Sequence, residues 1–169
     1  MEKKNNVILI GMPGAGKTTI GTELAERIGY GYVDVDSVII AREGKCLNEI
    51  IAECGRENFL DIEAKVNSEL CAERCVIATG GSVVYRESAM EKLRALGKIV
   101  YLQLPYAEIE RRLGDLKQRG VALKDGFTLR DLYEERIPLY EKYAEITVDL
   151  AELNVAECVE KVAKAVQNG

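Results

Sequence analysis

The sequence predicts an α/β fold built on a parallel β-sheet, because short apolar runs alternate with longer amphipathic segments. The runs are rich in β-branched residues and almost continuously hydrophobic, as expected of parallel strands buried on both faces. They cover residues 7–10, 32–35, 76–78, 99–102 and 146–148. Apolar residues at helical spacing predict helices over residues 18–28, 106–119, 128–143 and 154–167. A chain of 169 residues with one such alternation is expected to form a single domain over residues 1–169.

Composition excludes several classes of function. The 23 Lys and Arg residues are outnumbered by 28 Asp and Glu, giving a net charge of −5, whereas a general nucleic-acid or anionic-membrane binder needs a basic surface. No apolar stretch approaches the roughly 18–20 residues that span a bilayer. The first six residues lack the features of a signal peptide, so a cytoplasmic location is expected.

The residue inventory also limits the chemistry. The chain has no His, which excludes His-based acid–base catalysis, Ser-His-Asp triads and His-ligated zinc. Its five Cys residues lack the paired spacing of a zinc site, and reduced thiols are expected, although Cys71 and Cys75 stand one helical turn apart.

Two segments interrupt the simple alternation. Residues 37–74 hold more helix than one crossover needs, which predicts an insertion that forms a subdomain beside the strand ends. Residues 111–130 carry six basic and two acidic side chains together with three glycines. We interpret about 111–126 as a lid over an anionic ligand, the alternative being a solvated basic helix and loop.

A phosphate-binding loop provides the strongest functional signal. The segment Gly11-Met12-Pro13-Gly14-Ala15-Gly16-Lys17-Thr18 matches G-x-x-x-x-G-K-[ST] and stands between an apolar strand and an amphipathic helix. Its glycines let backbone N–H groups face phosphate oxygens, Lys17 places a cation against the β- and γ-phosphates, and the Thr18 hydroxyl ligates Mg²⁺. Expected nucleotide contacts come from Gly11, Gly14, Ala15, Gly16, Lys17, Thr18 and Thr19. Because the D-x-x-G and N-K-x-D elements of GTPases are absent, a small-molecule or nucleotide kinase is the leading class.

Two carboxylates follow the second predicted strand. Strand periodicity would place Asp34 and Asp36 on one face, at the carboxyl end where parallel sheets form their ligand crevice. One of them suits Mg²⁺, and the other can orient an acceptor hydroxyl and accept its proton. The alternative is that they only cap the helix that begins near Ser37.

The acceptor side is indicated by two further elements. The third strand runs into Thr79-Gly80-Gly81-Ser82, where N–H groups can bind a hydroxyl or a carboxylate, unless the segment is only a tight turn. Later, Arg136 precedes Pro138 within a predicted helix, and a Pro inside a helix favours a specially shaped site.

Together these residues resemble the shikimate kinase family over nearly the whole chain. The matching pieces are Gly11 to Thr18, Asp34-x-Asp36, Gly55-x-x-x-Phe59-x-x-x-Glu63, Ala78-Thr79-Gly80-Gly81, Arg112, Arg119 and Arg136-x-Pro138-Leu139-Tyr140. The resemblance implies a P-loop kinase fold, with a five-stranded parallel sheet flanked by helices, a lid and a substrate-binding insertion. It also implies ATP-dependent phosphorylation of shikimate to shikimate 3-phosphate.

The resemblance further implies a role for each matching side chain. Asp36 would bind and activate the acceptor hydroxyl, while Asp34 and Thr18 would hold Mg²⁺. Arg119 would reach the transferring phosphates from the lid, and Arg112 would lie against adenine. Substrate contacts are expected from Asp36, Gly80, Gly81, Ser82, Arg136 and Arg56, with Lys17, Asp36 and Arg119 as the catalytic residues.

The chain departs from the family pattern on the acceptor side. The family usually has Arg directly after the Phe of the G-x-x-x-F element, where this chain has Leu60, and Ser82 replaces a third Gly. Arg56, one helical turn before Leu60, can reach the same place. Three functions therefore stay open: shikimate phosphorylation, phosphorylation of another small hydroxy acid against an apolar Leu60, and non-catalytic ATP binding. The expected partners are ATP and a small carboxylate-bearing alcohol, with no nucleic acid or membrane, and the expected state is a monomer.

Overall fold

The protein is built around a five-stranded, fully parallel sheet. A computed structural model describes residues 5–113 and 124–168. The strands lie in the order β2-β3-β1-β4-β5, so that β1 is central. Their bounds are Asn6–Ile10 (β1), Gly31–Asp34 (β2), Cys75–Ala78 (β3), Gly97–Gln103 (β4) and Ile146–Asp149 (β5). The predicted α/β class and all five predicted strands are confirmed.

Helices surround this sheet. The described residues form Lys17–Ile28 (α1), Val35–Glu43 (α2), Leu47–Ser68 (α3), Glu87–Leu96 (α4), Tyr106–Arg112 (α5), Leu129–Tyr143 (α6) and Val155–Asn168 (α7), with a short 3₁₀ helix at Val83–Tyr85. Helix α1 packs against β3 and α7, and α3 packs against α2 and α4. In the ranges that the structure describes, no helix combines the length and apolar character needed to cross a membrane.

The central strand β1 is held at both ends by side-chain hydrogen bonds. At its start, the buried Asn6 amide donates to the carbonyl oxygens of Ala72 and Leu96 over 2.8 Å each and accepts from the Cys75 N–H. At its other end, the Thr79 hydroxyl donates to the Leu9 carbonyl over 2.8 Å. Every residue of β1 is buried, because the strand has a neighbour on each side and side chains packed on both faces. The loops that follow β1 and β3 are therefore fixed to a rigid support.

The segment predicted as an insertion consists mainly of helices α2 and α3. Helix α3 is interrupted at Gly55, whose φ of 82° and ψ of 166° are not helical. A positive φ of this size is readily adopted by glycine and strained for other residues. In the part of α3 after the break, Phe59 and Leu60 are buried in the hydrophobic core.

Two sequence predictions are wrong in detail. The helix predicted over 106–119 ends at Arg112, since Leu113 is extended and Gly114 follows it. Asp36 does not lie in a strand: β2 ends at Asp34, and Asp36 occupies the first turn of α2. The two carboxylates therefore do not share a strand face. The Asp34 carboxylate accepts a hydrogen bond from the Ser37 N–H and caps α2, as the alternative interpretation proposed.

Candidate active site

A cleft of about 470 Å³ opens at the carboxyl ends of the strands. In doubly wound sheets, ligands bind where the chain connections leave a central strand in opposite directions. The cleft gathers most of the predicted site residues from five separate segments of the chain. Those in its lining are Gly14, Gly16, Lys17, Thr18, Thr19, Asp34, Asp36, Gly80, Gly81, Ser82, Arg112 and Arg136.

The phosphate loop lies between β1 and α1. Its turns need positive φ angles, 81° at Gly14 and 96° at Gly16, which glycine adopts without strain. Lys17 folds back over the loop, and its Nζ donates to the carbonyl oxygens of Gly11 over 2.6 Å and Met12 over 3.0 Å. Helix α1 begins at Lys17 and has no acidic residue in its first turn. The positive end of the helix dipole is thus available to an anion at the cleft floor.

Burial sets the charge balance around Lys17 and Asp36. Desolvation lowers the pKa of Lys17 to about 8, an effect opposed by the nearby carboxylate of Asp36. Desolvation likewise raises the pKa of Asp36, and Lys17 opposes that shift. Each group stabilises the charged form of the other. The cleft therefore holds a cation for phosphate and a carboxylate whose proton affinity is higher than usual.

Three ionisable side chains converge on the Gly80-Gly81 turn. A methyl group on Gly80 would lie 2.6 Å from Glu63 Oε2 and 3.0 Å from Asp36 Oδ1. A methyl group on Gly81 would lie 2.8 Å from Arg136 Nη1. A methyl group at either position would displace these side chains, so the glycines allow the close approach that the structure shows. The turn after β3 therefore does not only reverse the chain: three ionisable side chains also meet at it.

Glu63 is a site residue that the sequence analysis did not identify as one. It projects from α3 and lines the cleft, although it is only 2 % exposed. Its Oε1 accepts a hydrogen bond of 2.7 Å from the Ser82 hydroxyl. Burial raises the pKa of Glu63 to about 7, and the Ser82 hydrogen bond opposes that rise. Its spacing of four residues from Phe59, which places both on one helix face, was the available signal.

Arg136 is buried in α6, at 1 % exposure, and reaches the cleft beside Gly81. Its Nε donates to the Tyr85 hydroxyl over 3.3 Å. One helical turn later, the Tyr140 hydroxyl donates to the Gly81 carbonyl over 2.7 Å. Helix α6 is thereby attached to the Gly80-Gly81 turn, which fixes the position of the guanidinium. A buried guanidinium at a cleft wall is well suited to a carboxylate.

Oxygen ligands suitable for Mg²⁺ lie on the nucleotide side of the cleft. The Thr18 hydroxyl and the Asp34 carboxylate both line it. Mg²⁺ is commonly held by one or two protein oxygens, with phosphate oxygens and water completing an octahedron. Within the described residues, no three Cys, Asp or Glu side chains cluster into a metal cage. The donor set fits a nucleotide-bound Mg²⁺ better than a metal held by protein alone.

A second cleft of about 330 Å³ adjoins the phosphate loop. Ala15, Gly16 and Thr19 line it from one side, and the segment between β5 and α7 lines it from the other. Arg112 lines both clefts, with Nη1 donating to the Gly14 carbonyl over 3.2 Å and Nε donating to Glu108 over 2.9 Å. Arg112 therefore lies at the junction of the two clefts.

Some predicted residues are found elsewhere. Gly11, the first residue of the loop, is buried, and its carbonyl accepts from Lys17. Neither Gly11 nor Arg56 is in the cleft lining. Leu60 belongs to the hydrophobic core at 1 % exposure and is not in the cleft lining, contrary to the alternative in which another hydroxy acid packs against it. Arg119 and most of the predicted lid lie outside the described residues. All five Cys residues have free thiols.

Comparisons with known proteins show the family of the chain. The family model described as shikimate kinase matches residues 13–167. A shikimate kinase of Thermobifida fusca is 37 % identical over 97 % of this chain and 96 % of its own, and one of Nostoc punctiforme is 43 % identical over 81 % and 77 %. The structure of a shikimate kinase from Acinetobacter baumannii in complex with shikimate superposes with a TM-score of 0.84, at 28 % identity, covering 99 % of this chain and 95 % of that one. The chain belongs to the shikimate kinase family.

Proposed function

We propose that the protein transfers the γ-phosphoryl group of ATP to a hydroxyl group of shikimate, giving ADP and shikimate 3-phosphate. The observation that carries this proposal is the convergence of Asp36, Arg136 and the Gly80-Gly81 turn opposite the phosphate loop, in one cleft. A phosphate site, a proton acceptor and a carboxylate-binding cation are the three elements that such a reaction needs.

On the donor side, the phosphate loop and the start of α1 bind the β- and γ-phosphates. Lys17 exchanges its contacts with the loop carbonyls for phosphate oxygens and neutralises part of their charge. Arg112 lies against the base at the adjoining cleft. Arg119, expected to act from the lid, lies outside the described residues, and its role is proposed on the family resemblance alone.

On the acceptor side, Arg136 and the N–H groups of Gly80 and Gly81 hold the carboxylate of shikimate. Asp36 accepts a hydrogen bond from the acceptor hydroxyl and takes up its proton as the oxygen attacks the γ-phosphorus atom. The bond from this phosphorus to the bridging oxygen breaks, and ADP leaves. The raised pKa of Asp36 suits a group that must take up a proton.

Mg²⁺ belongs to the proposal as a ligand of the nucleotide. Thr18 and Asp34 would hold it, and when bound it neutralises charge on the phosphates. Asp34 also caps α2, so its carboxylate is fixed with respect to β2 before any metal binds. Loss of this side chain is therefore expected to affect both the cap and the metal.

The acidic net charge supports action on a small molecule and not on a nucleic acid. We further propose that the protein acts in the cytoplasm as a monomer.

The direct test is ADP formation measured with shikimate and, in parallel, with a panel of small hydroxy acids. Saturable ADP release that depends on shikimate, together with a phosphorylated product detected by ³¹P NMR, is the expected result. Transfer to another hydroxy acid but not to shikimate would overturn the proposed acceptor. ATP binding without transfer to any acid would favour the non-catalytic alternative.

A further inference from the structure

The hydroxyl group of Tyr32 is a buried polar atom near the proposed Mg²⁺ ligands. Tyr32 lies in β2, two residues before Asp34, and the alternation of side chains along a strand places the two on one face. The phenol oxygen is buried and has no hydrogen-bond partner among the described residues. A buried polar atom without a partner is destabilising, which indicates a partner that turns toward it when the site is filled.

The ring of Tyr32 is packed against helix α1. A methyl group on Gly21 would lie 2.9 Å from Tyr32 Cε2, so the ring covers the helix at a position that has no side chain. Cε2 is bonded to the carbon that carries the hydroxyl group, so it is the hydroxyl end of the ring that meets α1. Gly21 follows Thr18 by three residues, and residues at this spacing lie on one side of a helix. The ring is thereby fixed on the helix that carries Thr18.

The electrostatic surroundings of Tyr32 also link it to the donor side. Burial raises the pKa of Tyr32, and the Thr18 hydroxyl opposes that rise. The carboxylates of Asp34 and Asp36 raise it further. A hydroxyl group exerts such an effect only at short range, so the Thr18 and Tyr32 hydroxyls are neighbours that lack the geometry of a hydrogen bond. Thr18 lines the cleft at the strand ends and Tyr32 does not, so the phenol oxygen lies on the side of Thr18 away from the cleft.

A hydroxyl group that binds a metal must direct its proton elsewhere. A metal ion takes a lone pair of the hydroxyl oxygen, so the proton has to point away from the ion, to a hydrogen-bond acceptor. The phenol oxygen of Tyr32 is an acceptor on the side of Thr18 away from the cleft. From this arrangement, and on the basis of the proposed function, we infer that Tyr32 is a positioning residue of the donor site: its oxygen accepts a hydrogen bond from the Thr18 hydroxyl and so turns the Thr18 oxygen toward nucleotide-bound Mg²⁺.

The first test compares thermal stability before and after ligand binding. Without nucleotide, Tyr32→Phe removes a buried polar atom that has no partner, so the thermal midpoint is expected to stay the same or to rise. With ADP and Mg²⁺, the variant lacks a hydrogen bond that wild type forms. The rise in midpoint on adding ADP and Mg²⁺ is therefore expected to be smaller in Tyr32→Phe than in wild type. A tyrosine with a purely structural role would shift both midpoints by the same amount, and that result would overturn the inference.

The second test measures metal binding directly, with a matched control. Mn²⁺ is titrated into the protein–ADP complex, and free Mn²⁺ is determined by electron paramagnetic resonance. Tyr32→Phe is expected to weaken Mn²⁺ binding about three- to ten-fold, the effect of one lost hydrogen bond. The affinity for ADP in the presence of EDTA should stay within about two-fold of wild type. Tyr30→Phe removes the same hydroxyl group two residues earlier, from a ring that lies against the Arg74 guanidinium, and is expected to change neither affinity.

Double variants test whether Tyr32 acts through Thr18. In Thr18→Ala, adding Tyr32→Phe should weaken Mn²⁺ binding by less than about two-fold, because the hydrogen bond is already lost. In Thr18→Ser, which keeps a hydroxyl group, adding Tyr32→Phe should cost as much as in wild type. Full multiplication of the effects in Thr18→Ala would overturn the inference, as would an unchanged Mn²⁺ affinity in Tyr32→Phe alone. If wild type bound ADP equally well with and without a divalent metal, the metal site of the proposed function would instead be wrong.

Discussion

The Ser82 hydroxyl donates a hydrogen bond of 2.7 Å to Oε1 of Glu63, and both side chains are almost completely buried in the wall of the cleft. Glu63 lies on the same side of the Gly80-Gly81 turn as Asp36, and Arg136 approaches that turn at Gly81. Lys17, Asp36 and Arg136 all influence the ionisation of Glu63. The Ser82 hydrogen bond therefore favours the ionised form of a carboxyl group close to the proposed acceptor site, against the larger opposing effect of burial.

The affinity for the acceptor is expected to depend on pH through Glu63. Burial raises the pKa of Glu63 to about 7, so the group is neutral below that pH and ionised above it. The ionised form adds a negative charge that competes with the acceptor carboxylate for Arg136. The KM for shikimate should therefore rise as the pH increases through about 7, and Glu63→Gln should remove this rise.

Ser82→Ala provides the matched variant for the pH experiment. The Ser82 hydrogen bond stabilises the ionised form of Glu63, so its loss should raise the pKa of Glu63 further and move the midpoint of the KM profile to higher pH. The exposed Glu69→Gln serves as a control with no expected effect. A profile that is identical in wild type and Glu63→Gln would show that another group is responsible.

Lys17→Ala is expected to lower the rate of phosphoryl transfer by at least about 10²-fold, because charge stabilisation supplies much of the catalysis in this reaction class. Nucleotide affinity should fall as well, since the same ammonium group meets the phosphates. Single-turnover rates and nucleotide titration measure the two effects separately. Lys98→Ala removes a partly exposed lysine of β4 and controls for the loss of one charge. Transfer at a nearly normal rate in Lys17→Ala would contradict the proposed donor site.

Asp36→Asn and Asp34→Asn are expected to have different effects. Asp36→Asn should lower kcat by roughly 10²-fold or more, because an amide does not take up the hydroxyl proton. Asp34→Asn should act mainly by raising the Mg²⁺ concentration required for half-maximal rate. Asn is a good helix N-cap, so the cap on α2 is retained and stability should change little. Full activity in Asp36→Asn together with loss of activity in Asp34→Asn would reverse the two roles.

Leu60→Arg is expected to destabilise the fold and not to improve the affinity for shikimate. Leu60 is enclosed by the core at 1 % exposure, and an unpaired guanidinium placed there should cost about 3 kcal/mol or more. Leu60→Met keeps the volume and should cost less than about 1.5 kcal/mol. Urea unfolding of the two variants tests the difference. A stable Leu60→Arg variant with a lowered KM for shikimate would show that position 60 reaches the cleft after all.

The parts of the fold that sequence predicted well are those with a single dominant physical signal. The buried strands β1 and β4 are continuous apolar runs, and their predicted centres are correct. The phosphate loop is specified by local glycine geometry and by the charge of Lys17, so its place in the cleft follows from sequence alone. Arg136 was found because its neighbour Pro138 marks an unusual helix.

The misplaced and missed residues had signals that fit more than one structure. The spacing of residues 33–36 fits a strand, while the side chain of Asp34 fits the N-cap of a helix. In the structure, Asp34 caps α2. Glu63 has the appearance of an ordinary solvated helix residue. Its spacing from Phe59 places the two on one helix face but does not reveal that Ser82 and the cleft surround Glu63. The contact of Arg56 with Tyr85 joins α3 to the turn after β3, and only the tertiary structure brings the two together.

The parallel pairing of β1 with β3 fixes the distance between the supports of the two proposed substrate sites. The phosphate loop leaves the end of β1, the Gly80-Gly81 turn leaves the end of β3, and Leu9 stands in register with Ala78. Adjacent strands are held about 4.8 Å apart by backbone hydrogen bonds, a spacing that side-chain replacement does not alter. Sequence changes in the surrounding helices can therefore alter which acceptor is bound, and how tightly. The distance between the phosphate loop at the end of β1 and the Gly80-Gly81 turn at the end of β3 stays constant.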